Sequence, residues 1–220
     1  MKDKIQRVPD LRSQVYDNLR EAIRRGDFSA DAKLQEHGIA RDYGVSRTPA
    51  REALALLARD GLLVQDGRGF RFPHHSLDDI EKVFEMRQRL EPYAVRRATE
   101  TASDEQLQSL AALADDVFGA KHTGESYREA NARLRAAMYA LCPNQRIVEV
   151  IEQHEDQIAF IRQATLSDPK WRKSSIRFFS RVIAHMVARE PSKAEQAMSL
   201  LLQESWRSIE AKMTAADPSA

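Results

Sequence analysis

The stretch Gly44-Val45-Ser46-Arg47-Thr48-Pro49-Ala50-Arg51-Glu52-Ala53-Leu54 decides how the amino-terminal part of this chain folds and what it presents to a partner. Ser46 can cap a helix, and Pro49 is tolerated in the first turn, where backbone donors have no helical partner. At 100° per residue, with Arg47 set to 0°, Arg51 falls at about 40° and Thr48 at about 100°. Ala50, Ala53, Leu54 and Leu57 then fall between about 240° and 340°, so one face packs while the other carries two guanidiniums. An arginine near a helix N-terminus can reach guanine O6 and N7 together, and a helix fits the major groove. Ser46, Arg47, Thr48 and Arg51 are therefore candidate DNA contacts. The competing reading is that Arg47 and Arg51 are ordinary exposed charges paired with nearby carboxylates, and the neighbouring elements must decide between the two.

Upstream, Val15, Leu19, Ala22 and Ile23 recur at i, i+4, i+7 and i+8, and the run stops at Gly26, which predicts a first helix. A second, shorter helix should run from about Gln35 to Tyr43, ended by a positive φ at Gly44. Downstream of Gly61, Leu62-Leu63-Val64 and Phe70-Arg71-Phe72 read as two strands around the tip Asp66-Gly67-Arg68-Gly69. Helix, helix, glycine turn, helix and hairpin form the element order of a winged helix-turn-helix over residues 1–73. That order favours the DNA reading of the arginines. Arg68, between Gly67 and Gly69, suits the minor groove or a phosphate.

Residues 74–76 read as a linker, with His74 and His75 as solvated positions, and residues 77–220 as helical throughout. Six helices can be drawn at roughly 77–100, 103–122, 125–141, 145–166, 170–189 and 191–214. Ser103 with Gln106 and Ser192 with Glu195 read as capping boxes, and Asp168-Pro169 as a cap followed by a first-turn proline. The fold class is thus mainly α: a winged helix-turn-helix of three helices and a small hairpin, joined to an all-helical bundle of about six helices.

Composition agrees with this division. The 220 residues are 42% hydrophobic and 30% charged, with 8 Gly and 8 Pro, a helix-leaning globular balance. No apolar run approaches the ~18 residues of a membrane span. Met1 to Asp10 lacks the apolar segment of a secretory signal. The single cysteine, Cys142, excludes an intrachain disulfide and suits a reducing cytoplasm, where it is read as structural. Residues 1–76 hold 14 Lys/Arg against 11 Asp/Glu, and residues 77–220 hold 20 against 22, so the positive excess sits in the amino-terminal part. Lys2, Lys4 and Arg7 could touch phosphate. Trp171 and Trp206, with Phe178, Ile209 and Met213, read as core or dimer surface.

The segment from Gly44 to Leu54, with Leu57, Gly61-Leu62-Leu63-Val64 and Gly67-Arg68-Gly69-Phe70, closely resembles the DNA-binding domain of GntR-family bacterial transcription regulators. The second part resembles that family's FCD branch, and Phe84-Glu85-Met86-Arg87-Gln88-Arg89-Leu90-Glu91 looks like the opening helix of the FCD domain. This resemblance implies a helical domain that binds a small effector, commonly an organic acid, and mediates dimerisation. FCD domains often hold a divalent metal with an Asp or Asn, a His four residues later, and two further His on the last two helices. Here those positions fall on Asn131, Arg135, Phe179 and Leu201. Arginine offers no lone pair, and Phe and Leu carry no donor atom, so the expectation is a pocket without metal or other cofactor. The histidines at 37, 74, 75, 122, 154 and 185 show no paired ligand spacing.

Several polar residues lie in the apolar stripes of the bundle. Arg87 sits among Ile80, Val83, Phe84, Leu90 and Ala94, with Glu91 one turn on. Asn131 sits among Tyr127, Leu134 and Met138, and His154 among Ile147, Ile151, Ile158 and Ile161. They are either satisfied core groups or, with Arg135, the lining of an effector site in which Arg87 and Arg135 clamp an anion directly. The expectation is a cytoplasmic homodimeric repressor that reads pseudo-palindromic operator DNA and answers to a small carboxylate-bearing effector. A winged-helix adaptor for protein partners is the alternative. No catalytic-triad, Cys-His, paired-carboxylate or phosphate-loop pattern points to an enzyme.

Overall fold

The computed structural model describes residues 10–29, 31–73, 76–119 and 124–216, with side chains for all of these except 124–126, 155–164 and 215–216. Two units divide at His74 and His75. The expectations for Lys2, Lys4, Arg7, His74, His75 and His122 lie outside the described residues.

In the first unit, α1 (Leu11–Arg25) begins where the Asp10 carboxylate accepts the Ser13 N–H at 2.7 Å and ends at Gly26 with φ of 82°. Its buried stripe is Val15, Leu19, Ala22 and Ile23. Helices α2 (Glu36–Asp42) and α3 (Arg47–Arg59) are joined by a turn in which Gly44 takes φ of 64°, a conformation that costs a residue without a Cβ little. Ser46 occupies the N-cap of α3 in extended backbone, but its hydroxyl makes no capping bond, which leaves it exposed ahead of the helix. Strands β2 (Val64–Asp66) and β3 (Gly69–Arg71) form the expected hairpin, with Gly67 at φ of 60°. A third strand, β1 (Lys33–Leu34), pairs antiparallel with β3, giving the order β1-β3-β2. Sequence reading missed β1 because two residues cannot show a period. Leu19, Leu54, Leu57 and Leu63, all buried, lock α1, α3 and the sheet into one core.

The second unit contains α4 (Leu77–Thr101), α5 (Asp104–Gly119), α6 (Gly124–Ala140), α7 (Gln145–Leu166), α8 (Pro169–Val187) and α9 (Pro191–Ala216). Ser76 and Asp79 close a capping box at the start of α4, with Asp79 N–H donating to Ser76 Oγ at 3.1 Å. Ser103 and Gln106 form the box expected for α5. Asp168 caps α8 through the Lys170 N–H at 2.9 Å, with Pro169 in its first turn. The expected cap at Ser192 is corrected. Pro191, with its φ already set for a helix, is the first residue of α9, so Ser192 is inside the first turn, and Glu195 instead meets Arg96 at 3.3 Å. Tyr127, Leu134, Met138, Tyr139, Phe179 and Met186 form the centre of the bundle core. Trp206 stacks at a tilt on Phe84, centroids 5.5 Å apart, in a smaller cluster with Ile80 and Ile209.

Candidate nucleic-acid interface and ligand cavity

Burial of Ala50, Ala53, Leu54 and Leu57 fixes the rotation of α3 about its axis. Ser46, Arg47, Thr48 and Arg51 are consequently all exposed on the opposite face. Arg47 meets no carboxylate or carbonyl among the described residues, whereas Arg51, 74% exposed, stands 3.7 Å from the Glu36 carboxylate at the start of α2. Arg68 is exposed at the hairpin tip and makes no ion pair among the described residues. Gly67 beside it is exposed, while Gly69 is buried for a packing reason: a Cβ there would lie 3.0 Å from the Leu34 carbonyl oxygen of β1. The hairpin tip is thereby tied to the third strand.

In the helical unit, a cavity is lined by Phe84 and Arg87 of α4, Asn131 and Arg135 of α6, Thr165 and Leu166 of α7, Trp171, Ser175 and Phe179 of α8, and Leu201, Glu204, Ser205, Ser208 and Ile209 of α9. Asn131, Arg135, Phe179 and Leu201, picked out on three helices from the resemblance, thus converge on one space. Its free volume of about 30 Å³ has room for roughly two waters.

Polar groups in and behind the cavity wall bond to one another. Glu91, fully buried, is reached by Arg87 Nε through its Oε1 and by Arg87 Nη2 at 3.4 Å through its Oε2. Arg135 Nη2 donates to the same Glu91 Oε2 at 2.7 Å and to the Tyr139 hydroxyl at 2.7 Å, and the Tyr139 hydroxyl donates to Glu91 Oε2 at 2.5 Å. Arg87 and Arg135 are 3% and 5% exposed, and their guanidiniums also lie over the Phe84 and Phe179 rings at 4.6 and 5.9 Å. Asn131 Nδ2 donates to the Tyr127 hydroxyl at 3.4 Å, and that hydroxyl meets Ser175 Oγ at 3.2 Å.

His154 is placed elsewhere. Half-buried, it turns Nδ1 back to the Val150 carbonyl at 2.8 Å and is not among the residues lining the cavity. Trp171, read from the sequence as core or dimer surface, lines the cavity instead. Ser175, Glu204, Ser205 and Ser208 went unremarked in the sequence, because polar residues on α8 and α9 carry no signal until the two helices are set side by side.

The bacterial regulatory protein gntR family matches residues 11–72, and the FCD domain matches residues 82–204. The chain is 27% identical to the uncharacterized HTH-type transcriptional regulator YdhC of Bacillus subtilis (strain 168), over 83% of this chain and 84% of that protein. It is 29% identical to the HTH-type transcriptional regulator McbR of Escherichia coli (strain K12), over 65% of this chain and 66% of that protein. The solved structure of E. coli McbR/YncC superposes with a TM-score of 0.84 at 22% identity, covering 94% of this chain and all of that one, which shows a shared fold. The chain belongs to the GntR family of bacterial transcription regulators, in the branch that carries a carboxy-terminal FCD domain.

Proposed function

We propose that this regulator is a cytoplasmic repressor that binds a pseudo-palindromic operator as a homodimer and releases it when a small carboxylate-bearing molecule enters the helical domain. The observation that carries the DNA half is the division of α3: four side chains at its start face solvent, two of them cationic, while the opposite face is locked in the core. Two-fold symmetry would set two such helices on half-sites about one helical turn apart. Arg47, Thr48 and Arg51 read base edges or phosphates, with Ser46 at the cap, and Arg68 between Gly67 and Gly69 takes the neighbouring minor groove.

The pocket half rests on the two buried guanidiniums that line the cavity, a group suited to carboxylates, both of them already engaged by Glu91. The divalent metal implied by the family does not fit these residues. Arg135 points a permanent cation at the position of a histidine donor, and Phe179 and Leu201 offer no lone pair. Asn131 orients the ligand alongside Arg135.

Fluorescence anisotropy of the full chain on fragments from its own chromosomal neighbourhood tests the DNA half. Affinity should fall steeply with salt and vanish in an Arg47→Ala, Arg51→Ala double variant. A protein-interaction adaptor would bind none of the fragments. For the pocket, calorimetry should show that Arg135→Ala loses the carboxylates that the parent binds; unchanged affinity would remove this half alone.

A further inference from the structure

Two guanidiniums that line the cavity, those of Arg87 and Arg135, already hold a carboxylate behind its wall. Glu91 belongs to α4, one turn beyond Arg87, and Arg87 holds it within that helix. Arg135 comes from α6 and reaches across to Glu91 Oε2 at 2.7 Å. All three groups are buried, so each charge depends on a charged neighbour rather than on water. A ligand carboxylate seeking Arg135 would meet the same donor, Nη2, that Glu91 already occupies.

We infer that Glu91 is a built-in competitor, and that effector capture is an exchange at Arg135 in which the ligand's carboxylate replaces that of Glu91. This inference rests on the reading that the cavity accepts a carboxylate. Arg87 keeps Glu91 throughout, and Arg135 passes from one carboxylate to another, so neither guanidinium is left buried without an anion at any stage. The exchange gives up the ion contact between α4 and α6. Glu91 is followed by Pro92 inside α4, which cannot donate a hydrogen bond to the carbonyl one turn back, so the helix is least supported at the turn that loses its partner.

The test uses the full chain, with acetate, succinate and citrate as probes, followed by thermal shift and calorimetry. Glu91→Gln keeps the shape of the side chain and removes the competing charge. It should melt below the parent when unliganded, and bind at least one probe tenfold or more tighter. Glu91→Asp keeps the charge within α4 and draws it back by one methylene, weakening its hold across to Arg135, so it serves if the first variant folds poorly; its affinity should rise several-fold. A probe that binds the parent at a site lost in Arg135→Ala, yet binds both Glu91 variants no tighter, overturns the exchange and leaves the pocket standing. If no probe binds the parent or either variant, the carboxylate reading of the cavity fails and the exchange with it.

Discussion

Arg47 and Arg51 share a face of α3, yet they should contribute unequally to DNA affinity. A well-formed bidentate arginine contact to a base discriminates by about 1–3 kcal/mol. Arg47 gives up no described partner to make such a contact, so Arg47→Ala should weaken each half-site by the full amount, roughly 5- to 150-fold. Arg51 must first leave Glu36, at 3.7 Å, an exposed pair of the kind that contributes about 0–1 kcal/mol. The observed cost of Arg51→Ala should be smaller than that of Arg47→Ala by up to that amount. Glu36→Gln should then tighten binding, by at most about fivefold, because it frees Arg51 and removes a negative charge close to the phosphates. Glu36 also stands in the first turn of α2, where a carboxylate favours the helix N-terminus by about 0.3–1 kcal/mol, so a small loss of stability should accompany the gain. Anisotropy titrations at several salt concentrations separate these terms, because a lost phosphate contact lowers the salt slope by about one whereas a lost base contact relaxes sequence preference. Weaker operator binding by Glu36→Gln, or an Arg47→Ala variant indistinguishable from the parent, would refute the reasoning.

Gly69→Ala should destabilise the amino-terminal unit by about 1–3 kcal/mol, read from urea unfolding, because the added methyl meets the Leu34 carbonyl at 3.0 Å and β1 is held in place by its pairing. Ser76→Ala removes the acceptor for the Asp79 N–H at the start of α4 and should cost about 1 kcal/mol in the same assay. Glu190 titrates below its ordinary 4.5 because Lys193 donates a hydrogen bond to it, with His185 adding a second. A depressed folded value stabilises above the unfolded pKa, and this contribution is lost as pH falls through the folded value, so Lys193→Ala should move the Glu190 carbon resonance to titrate nearer 4.5. In a double-mutant cycle, Glu91→Gln and Arg135→Gln should fall short of additivity by about 1–3 kcal/mol; additive losses would deny the ion contact its structural role.

Apart from β1, the amino-terminal unit was legible because its decisions are local. Gly26 and Gly44 stop helices, short apolar runs and glycine mark the hairpin, and the period of α3 alone separates Arg47 from Leu54. The cavity was legible only in part. Arg87 and Asn131 betrayed themselves as polar residues inside apolar stripes, and Arg135, Phe179 and Leu201 came into view through the resemblance. Which other residues face the cavity depends on how α8 and α9 are set against α4 and α6, and no spacing within one helix encodes that. His154 shows the reverse error. Its spacing from Ile147 and Ile151 puts it on the apolar stripe, but the half-buried ring satisfies itself on the preceding turn's carbonyl.

An arginine at position 135, rather than the histidine that the resemblance implies there, changes what the surrounding core must provide. A neutral imidazole can be buried at the expense of one or two hydrogen bonds, whereas a guanidinium keeps its charge at any pH the fold survives. Burial of Arg135 therefore requires an anion within reach, and Glu91 with Tyr139 supplies one in the absence of ligand. Glu91 is itself buried beside Arg87, so the carboxylate that meets Arg135 is also paired within its own helix. Loss of Glu91 alone would take this anion from both guanidiniums, whereas loss of either arginine leaves Glu91 paired with the other. If the cavity takes a carboxylate as proposed, that ligand must bind Arg135 better than the chain's own glutamate does, and the internal contact would set the threshold for response.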